Sequence, residues 1–295
     1  CEEPADYKKT LQENLRAGLT FPQARLVAAR PHLSPEALTL LESPNAILGL
    51  EYCKALYRRK SGITPYAVAR VGAGYHDDAV SLEGFSSATA LRTLLTPGNK
   101  FPEVFLSELP AAAAALLNEK PYTPVFSEDF LALYRSSVTQ KTDRLSSFSD
   151  VSPELAGRLR KRFPACDYET FLDHIKTKQY TRTRIERCFL HILFGLEKTS
   201  MEQYRKNEVC YARILGFRDC AMPLLKSWKT TAALPVLTKL AQSKKRCNAA
   251  ENELLSFDVA ATDLYNTVVQ QKYGVLLPDD FSYTFTNAKF RVPFP

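Results

Sequence analysis

The feature that most constrains this chain is the pattern from Arg184 to Leu196. Ile185, Cys188, Phe189, Ile192, Leu193 and Leu196 recur at helical spacing and form one continuous apolar face. Arg184, Arg187 and His191 fall on the opposite side. A helix with so wide an apolar stripe must bury it against other elements. Upstream, Ser152-Pro153-Glu154 places a cap, a first-turn proline and a first-turn acid in the favoured order, and Leu155, Leu159 and Phe163 recur every four residues. The chain from Ser152 onward is therefore expected to be mainly helical. The tail from Phe281 to Phe294 alternates more like extended chain.

The first third reads as short helices with clear starts. Thr20-Phe21-Pro22-Gln23 fits a capping box, and Ser34-Pro35-Glu36 is another helix-start signal. A helix is predicted from Ile47 to Lys60, with Leu48, Tyr52, Ala55 and Leu56 at helical spacing. Pro65 to Val71 reads as a strand broken by Gly72 and Gly74, and Ala88 to Leu95 as a further helix. Helix, strand, loop and helix in that order belong to an α/β sheet with crossover connections. One convincing strand cannot make a parallel sheet, so its partners are expected elsewhere, in upstream sequence. Residues 96–150 are rich in Pro and Ser, especially from Thr139 to Ser152, and read as a connection containing a helix from Ser127 to Ser136.

The totals bound the class. With 295 residues, 45% hydrophobic and 24% charged, the composition is that of a soluble globular protein of one or two domains. No apolar run approaches the roughly 18–20 residues of a membrane span. The start, Cys1-Glu2-Glu3-Pro4, is acidic and polar, carries no initiator methionine and shows no secretory signal, so a processed or truncated chain is expected. The seven cysteines are scattered, odd in number and never spaced Cys-x-x-Cys, which points to structural thiols in a reducing cytoplasm and to no zinc site. Cys53 and Cys188 are placed on apolar helix faces. The net charge of +7 is compatible with nucleic acid.

Several stretches could carry chemistry. Asn45 stands at a helix start, where it can cap the helix or face a bound anion, because helix N-termini offer free amides. Arg70 and Val71 close the predicted strand, the end at which open α/β sheets bind ligands, and an arginine there can fork onto a phosphate or sit in a surface ion pair. His76-Asp77 is read as an exposed loop pair, since adjacent residues point apart. Ser86, Ser87, Thr89 and Arg92 bring hydroxyls and a cation to another helix start, a phosphate cradle or a plain cap. Lys176, Lys178, Arg182, Arg184 and Arg187 form a basic approach and stripe, a solvated face or a phosphate-binding one, with Tyr180 placed to stack on a base. Arg158-Leu159-Arg160-Lys161-Arg162 and Lys244-Lys245-Arg246 add to the basic groups. No residue is identified as a general base or a metal ligand.

Taken in order, these motifs resemble the tRNA(Met) cytidine acetate ligases, nucleotidyltransferases of the HIGH superfamily. Ser43-Pro44-Asn45-Ala46-Ile47-Leu48-Gly49-Leu50-Glu51-Tyr52, Arg70-Val71-Gly72-Ala73-Gly74-Tyr75-His76-Asp77, Ser87-Ala88-Thr89-Ala90-Leu91-Arg92 and the Lys176 to Ile185 segment follow the family's order. So do Tyr211 to Phe217 and, weakly, Ala261 to Tyr265. The resemblance covers nearly the whole chain. It implies ATP as substrate, acetyl-adenylate as intermediate with release of pyrophosphate, Mg²⁺ on the phosphates, and transfer of acetyl to N4 of the wobble cytidine of elongator tRNA(Met).

Asn45 and Arg70 match the family's ATP-binding asparagine and arginine. The family's opening strand and His-x-Gly-His-like element are absent here, so little or no ligase activity is expected from this chain alone. The expected fold is an incomplete Rossmann-like α/β portion followed by a mainly helical domain, helix-dominated overall. Residues 1–100 are assigned to the ATP side, 101–150 to a connection and 151–295 to tRNA binding. Two other readings stay open: a small-molecule adenylyltransferase, and a non-enzymatic RNA-binding protein that kept a partial nucleotidyltransferase fold.

Overall fold

The computed structural model describes residues 3–68, 86–96, 100–119, 124–162, 167–177 and 180–282. The chain divides into two compact units, one holding residues 1–74 and 81–85, the other 75–80 and 86–295.

The first unit contains α1 (Ala5–Arg16), α2 (Phe21–Ala29), α3 (Pro35–Leu40) and α4 (Pro44–Arg58). Gly18, at φ +90°, reverses the chain between α1 and α2, a left-handed conformation that a side chain disfavours. The next helix starts where the sequence placed it. Gln23 Oε1 accepts hydrogen bonds from Thr20 N (3.1 Å) and Thr20 Oγ1 (2.8 Å). Ala24, Ala28 and Ala29 of α2 are buried, and their small side chains let α1 and α2 approach closely. Ser34 Oγ caps α3 by accepting from Ala37 N.

The strand expected over Pro65–Val71 is not formed in its described part. Residues 61–68 have no regular secondary structure, and Tyr66 and Val68 are 89% and 93% exposed. Among the described residues of this unit no strand stands beside them, and a short run without a ladder partner has nothing to hold it as a strand. Cys53, placed on an apolar helix face by its spacing, is exposed.

The second unit begins with α5 (Ala88–Thr93), α6 (Glu103–Ser107), α7 (Ala111–Asn118), α8 (Leu131–Gln140), α9 (Pro153–Arg162) and α10 (Tyr168–Ile175). It continues with α11 (Arg182–Phe194), α12 (Lys198–Lys206), α13 (Met222–Thr231), α14 (Ser243–Arg246) and α15 (Ala249–Tyr273). Its main core lies among α8, α9, α10 and α11. The predicted face of α11 is the one buried: Ile185, Cys188, Phe189 and Ile192 are at most 1% exposed. Phe189 stacks on Tyr134 of α8 at 5.1 Å between ring centroids and meets Phe171 of α10 at 5.4 Å.

The Ser-rich stretch that reads as part of a connection contributes Leu145, Phe148 and Val151 to this core, each fully buried. Thr142–Ser147 is a short 3-10 helix, and the buried segment around it must still satisfy carbonyls that have no α-helical or sheet partner. Lys198 Nζ donates to Ser146 O (2.7 Å) and Val151 O (2.9 Å). Lys141 Nζ donates to Ile192 O and Leu193 O, satisfying carbonyls at the C-terminus of α11, where a cation also opposes the helix dipole. Burial, and to a lesser degree Arg144 nearby, lowers the Lys141 pKa. Gly195 then takes φ +71° and ends the helix.

A small parallel sheet pairs β1 (Ala212–Arg213) with β2 (Val236–Leu237), in register Ala212 to Val236 and Arg213 to Leu237. A parallel pair needs a crossover, and α13 supplies it. Leu237, Leu240 and Leu255 form a second core under this sheet. The long α15 opens on a reciprocal box, with Glu251 N donating to Asn248 Oδ1 (2.9 Å) and Asn248 N to Glu251 Oε2 (2.7 Å). Lys272 near its end pairs with Asp129 at 2.8 Å. The fold is helix-dominated, as expected, and its described strands are these two short ones.

Candidate functional site

Helix α4 starts earlier than its periodicity suggested. Ser43 is the N-cap, its Oγ accepting from Ala46 N at 3.4 Å, and Pro44 takes the first helical position. Asn45 is therefore the second helical residue, exposed and not the cap. Capping by Ser43 leaves the Asn45 side chain available at a helix end that attracts anions.

The second cluster lies in the other unit. Ser87 is 1% exposed, and its Oγ accepts from Ala90 N at 2.9 Å, capping α5. Ser86 N donates to Glu108 Oε2 at 3.0 Å. The hydroxyl of Ser87 is thus spent on the helix start, while Thr89 and Arg92 are exposed. Arg70, Val71, Gly72, Gly74, His76 and Asp77 lie outside the described residues, as does Lys178.

The basic stripe of α11 is heavily paired. Arg182 forks onto both carboxylate oxygens of Glu169, with Nη2 to Oε1 at 2.7 Å, and its Nε donates to Glu186 at 3.1 Å. The hydrogen bond from Arg182 holds the Glu169 carboxyl below its ordinary pKa, and the same bond raises that of Arg182. Arg187 Nε donates to Asp150 Oδ2 at 2.8 Å, and His191 Nδ1 lies 2.9 Å from Ser149 O. The Arg184 guanidinium sits 5.0 Å from the Tyr180 ring centroid. Tyr180 itself is buried, with its hydroxyl 2.6 Å from Ser152 Oγ, so the expectation that it stacks on a base is corrected. Its ring fills the core because the turn before α11 points it inward, which spacing alone did not reveal. Lys176 is exposed.

These pairs tie α11 to α10 and to the turn at Asp150. Their strength is modest, since Arg182 and Glu169 are 46% and 56% exposed. Glu169→Gln is expected to lower unfolding stability by under about 1 kcal/mol near neutral pH. A carboxyl with a depressed folded pKa stabilises above its unfolded pKa and loses that effect as pH falls through the folded value. The gap between parent and variant should therefore close in acid, as urea denaturation across that range would read. A gap that persists unchanged in acid would show that the carboxylate is not its source.

Cys188 is no nucleophile. Burial raises its thiol pKa to about 11, and its Sγ points at Asp150 O. Among the described residues, no group of three His, Cys, Asp or Glu side chains could hold a metal ion, and no helix is long and apolar enough to cross a membrane. Sequence reasoning passed over an open groove beside α13, lined by Phe217, Met222, Lys226 and Lys229. Its only sequence signal is the scarcity of acids around it.

A family model described as HIGH Nucleotidyl Transferase matches residues 1–276. The tRNA(Met) cytidine acetate ligase of Acetivibrio thermocellus is 33% identical over 274 residues, covering 90% of this chain and 66% of the relative. That of Caldanaerobacter subterraneus subsp. tengcongensis is 31% identical over 286 residues, covering 95% of this chain and 69% of the relative. The chain thus spans about two-thirds of the length of such relatives. Crystal structures of Thermotoga maritima TmcAL, apo and bound with alpha-thio ATP, superpose with TM-scores of 0.79 and 0.76 at 28% and 27% identity. Each comparison covers 95% of this chain, and 70% and 69% of the respective TmcAL chains. On the match over residues 1–276 and the identity shared with these relatives, the chain belongs to the HIGH nucleotidyltransferase family, among the tRNA(Met) cytidine acetate ligases.

Proposed function

We propose that this chain serves the ATP-dependent acetylation of elongator tRNA(Met). The supporting observation is its likeness, over 95% of its length, to a TmcAL structure bound with alpha-thio ATP. In the proposed reaction an acetate oxygen attacks the α-phosphorus of ATP. The bond to the bridging oxygen breaks, pyrophosphate leaves, and acetyl-adenylate forms. The N4 amine of the wobble cytidine then attacks the acetyl carbonyl, AMP leaves, and the amine gives up a proton.

Such chemistry rests on positioning and charge neutralisation, and it needs no nucleophilic side chain. Asn45, through its side chain and its own backbone amide, would take polar groups of the nucleotide, and Arg70, with Val71 beside it, would fork onto a phosphate. In the other unit, taken by itself, Thr89 and Arg92 would offer a hydroxyl and a cation to a phosphate, while Ser86 and Ser87 shape the start of α5. Mg²⁺ would enter as part of the nucleotide substrate, held by its phosphates.

Lys176, Lys178, Arg182, Arg184 and Arg187 are proposed to face the RNA. Arg182 and Arg187 would have to exchange a carboxylate for a phosphate. A cytoplasmic location fits a tRNA substrate.

The test is equilibrium binding of alpha-thio ATP and of elongator tRNA(Met) to this polypeptide at about 0.1 M salt, where surface charge is only partly screened. Binding of both is expected. Binding of nucleotide without tRNA would favour a small-molecule adenylyltransferase, and binding of tRNA without nucleotide would favour a non-enzymatic RNA-binding role.

A further inference from the structure

Between Cys210 and Cys247 the chain carries eight Lys or Arg residues and one acid, Asp219. That excess equals the +7 of the whole protein, so the remaining sequence is close to neutral. The segment builds β1, α13, β2 and α14. Of its cations, Arg213 is paired with Asp280 inside the fold. Lys226, Lys229, Lys239, Lys244, Lys245 and Arg246 are all exposed.

The apolar residues of the same region are unusual too. Trp228, the only tryptophan of the chain, is 42% exposed on α13, and Met222 and Leu224 are 53% and 48% exposed. Phe217, Met222, Lys226, Lys229 and Thr238 line an open groove of about 640 Å³, within the range of sites that hold small molecules. Thr238 also lines the adjoining depression that contains Lys239, which joins Lys226, Lys229 and Lys239 into one surface. Helix α14, with its three consecutive cations, packs against β2 beside it.

We propose that this surface docks single-stranded RNA, with Lys226, Lys229 and Lys239 on phosphates and Trp228 stacking on an unpaired base. The inference rests on the tRNA reading above and deepens it by adding a second RNA contact to the one proposed for α11. Exposed aromatics interleaved with cations suit unpaired nucleotides, whose bases can be splayed onto a ring. The contrast with α11 is electrostatic. There, Arg182 and Arg187 are already bound to carboxylates, whereas this strip has a single acid among eight cations. The cations also continue from α13 to Lys239, just past β2, and onto α14, which tracks a nucleic-acid backbone better than a lipid plane touching one ten-residue helix.

The experiment uses the intact chain, elongator tRNA(Met) and a vesicle of mixed zwitterionic and anionic phospholipid. Trp228 fluorescence reports contact without a label, because no other tryptophan contributes. tRNA is expected to quench it, and vesicles are not. The triple variant Lys226→Gln, Lys229→Gln, Lys239→Gln is expected to bind tRNA at least about tenfold more weakly. Its slope of log affinity against log salt should be smaller by about 2, as three lost single-strand phosphate contacts require. Trp228→Phe, which keeps a ring and the helix, should lose only part of the affinity, read with labelled tRNA. Circular dichroism checks that each variant is folded.

If the parent binds tRNA and the triple variant binds it equally, with the same slope, the surface is wrong and the tRNA reading stands. If the parent binds no tRNA, both fall. If anionic vesicles shift Trp228 emission and tRNA does not, the face is a membrane contact and the inference is overturned.

Discussion

Replacing Phe189 by alanine is expected to destabilise the second unit by about 3–5 kcal/mol, the usual cost of emptying a buried aromatic site. Phe189 is 1% exposed and sits between the rings of Tyr134 and Phe171, so its loss removes two aromatic contacts and leaves a cavity bounded by three helices. Domains have net stabilities of only about 5–15 kcal/mol, so the variant should populate unfolded protein at moderate urea. Phe189→Leu, closer in volume, should cost less than half as much. Urea denaturation followed by far-ultraviolet circular dichroism measures both. A loss under about 1 kcal/mol for the alanine variant would mean that the core collapses around the gap.

Arg70→Ala is expected to weaken ATP binding by about 10- to 100-fold, the value of one or two charge-assisted hydrogen bonds. Arg70→Lys should not restore it, because an ammonium cannot reproduce a planar fork. Asn45→Ala should cost a smaller factor, up to about tenfold, in line with a neutral hydrogen bond. The structure adds a control. Since Ser43 and not Asn45 caps α4, Asn45→Ala should leave thermal stability unchanged, while Ser43→Ala should cost about 1 kcal/mol. Isothermal titration with alpha-thio ATP, alongside melting curves, separates the two. Equal nucleotide affinity in Arg70→Ala and the parent would remove Arg70 from the proposed site.

Much of the local structure was legible from residues alone. The apolar stripe of α11 is buried as its spacing required, and Ser34 and Ser152 start helices where their hydroxyls precede a proline and an acid. These signals are local: a cap needs only its own first turn, and a stripe needs only helical period. The expected strand over Pro65–Val71 failed in its described part for a non-local reason, since a strand exists only with a partner. Tyr180 misled for a similar reason. An aromatic in a basic run reads as a base-stacking platform until the fold turns it inward and gives its hydroxyl to Ser152.

The sequence by itself determined the helical character of the second half, the order of motifs that identifies the family, and the sign of the net charge. Only the tertiary structure decided which cations are spent. Arg182, Arg187 and Arg213 find carboxylates 13, 37 and 67 residues away in the chain, while Lys226, Lys229 and Lys239 are exposed around a groove. Charge pairing acts through space and falls off within about 10 Å in salt, so sequence proximity cannot reveal it.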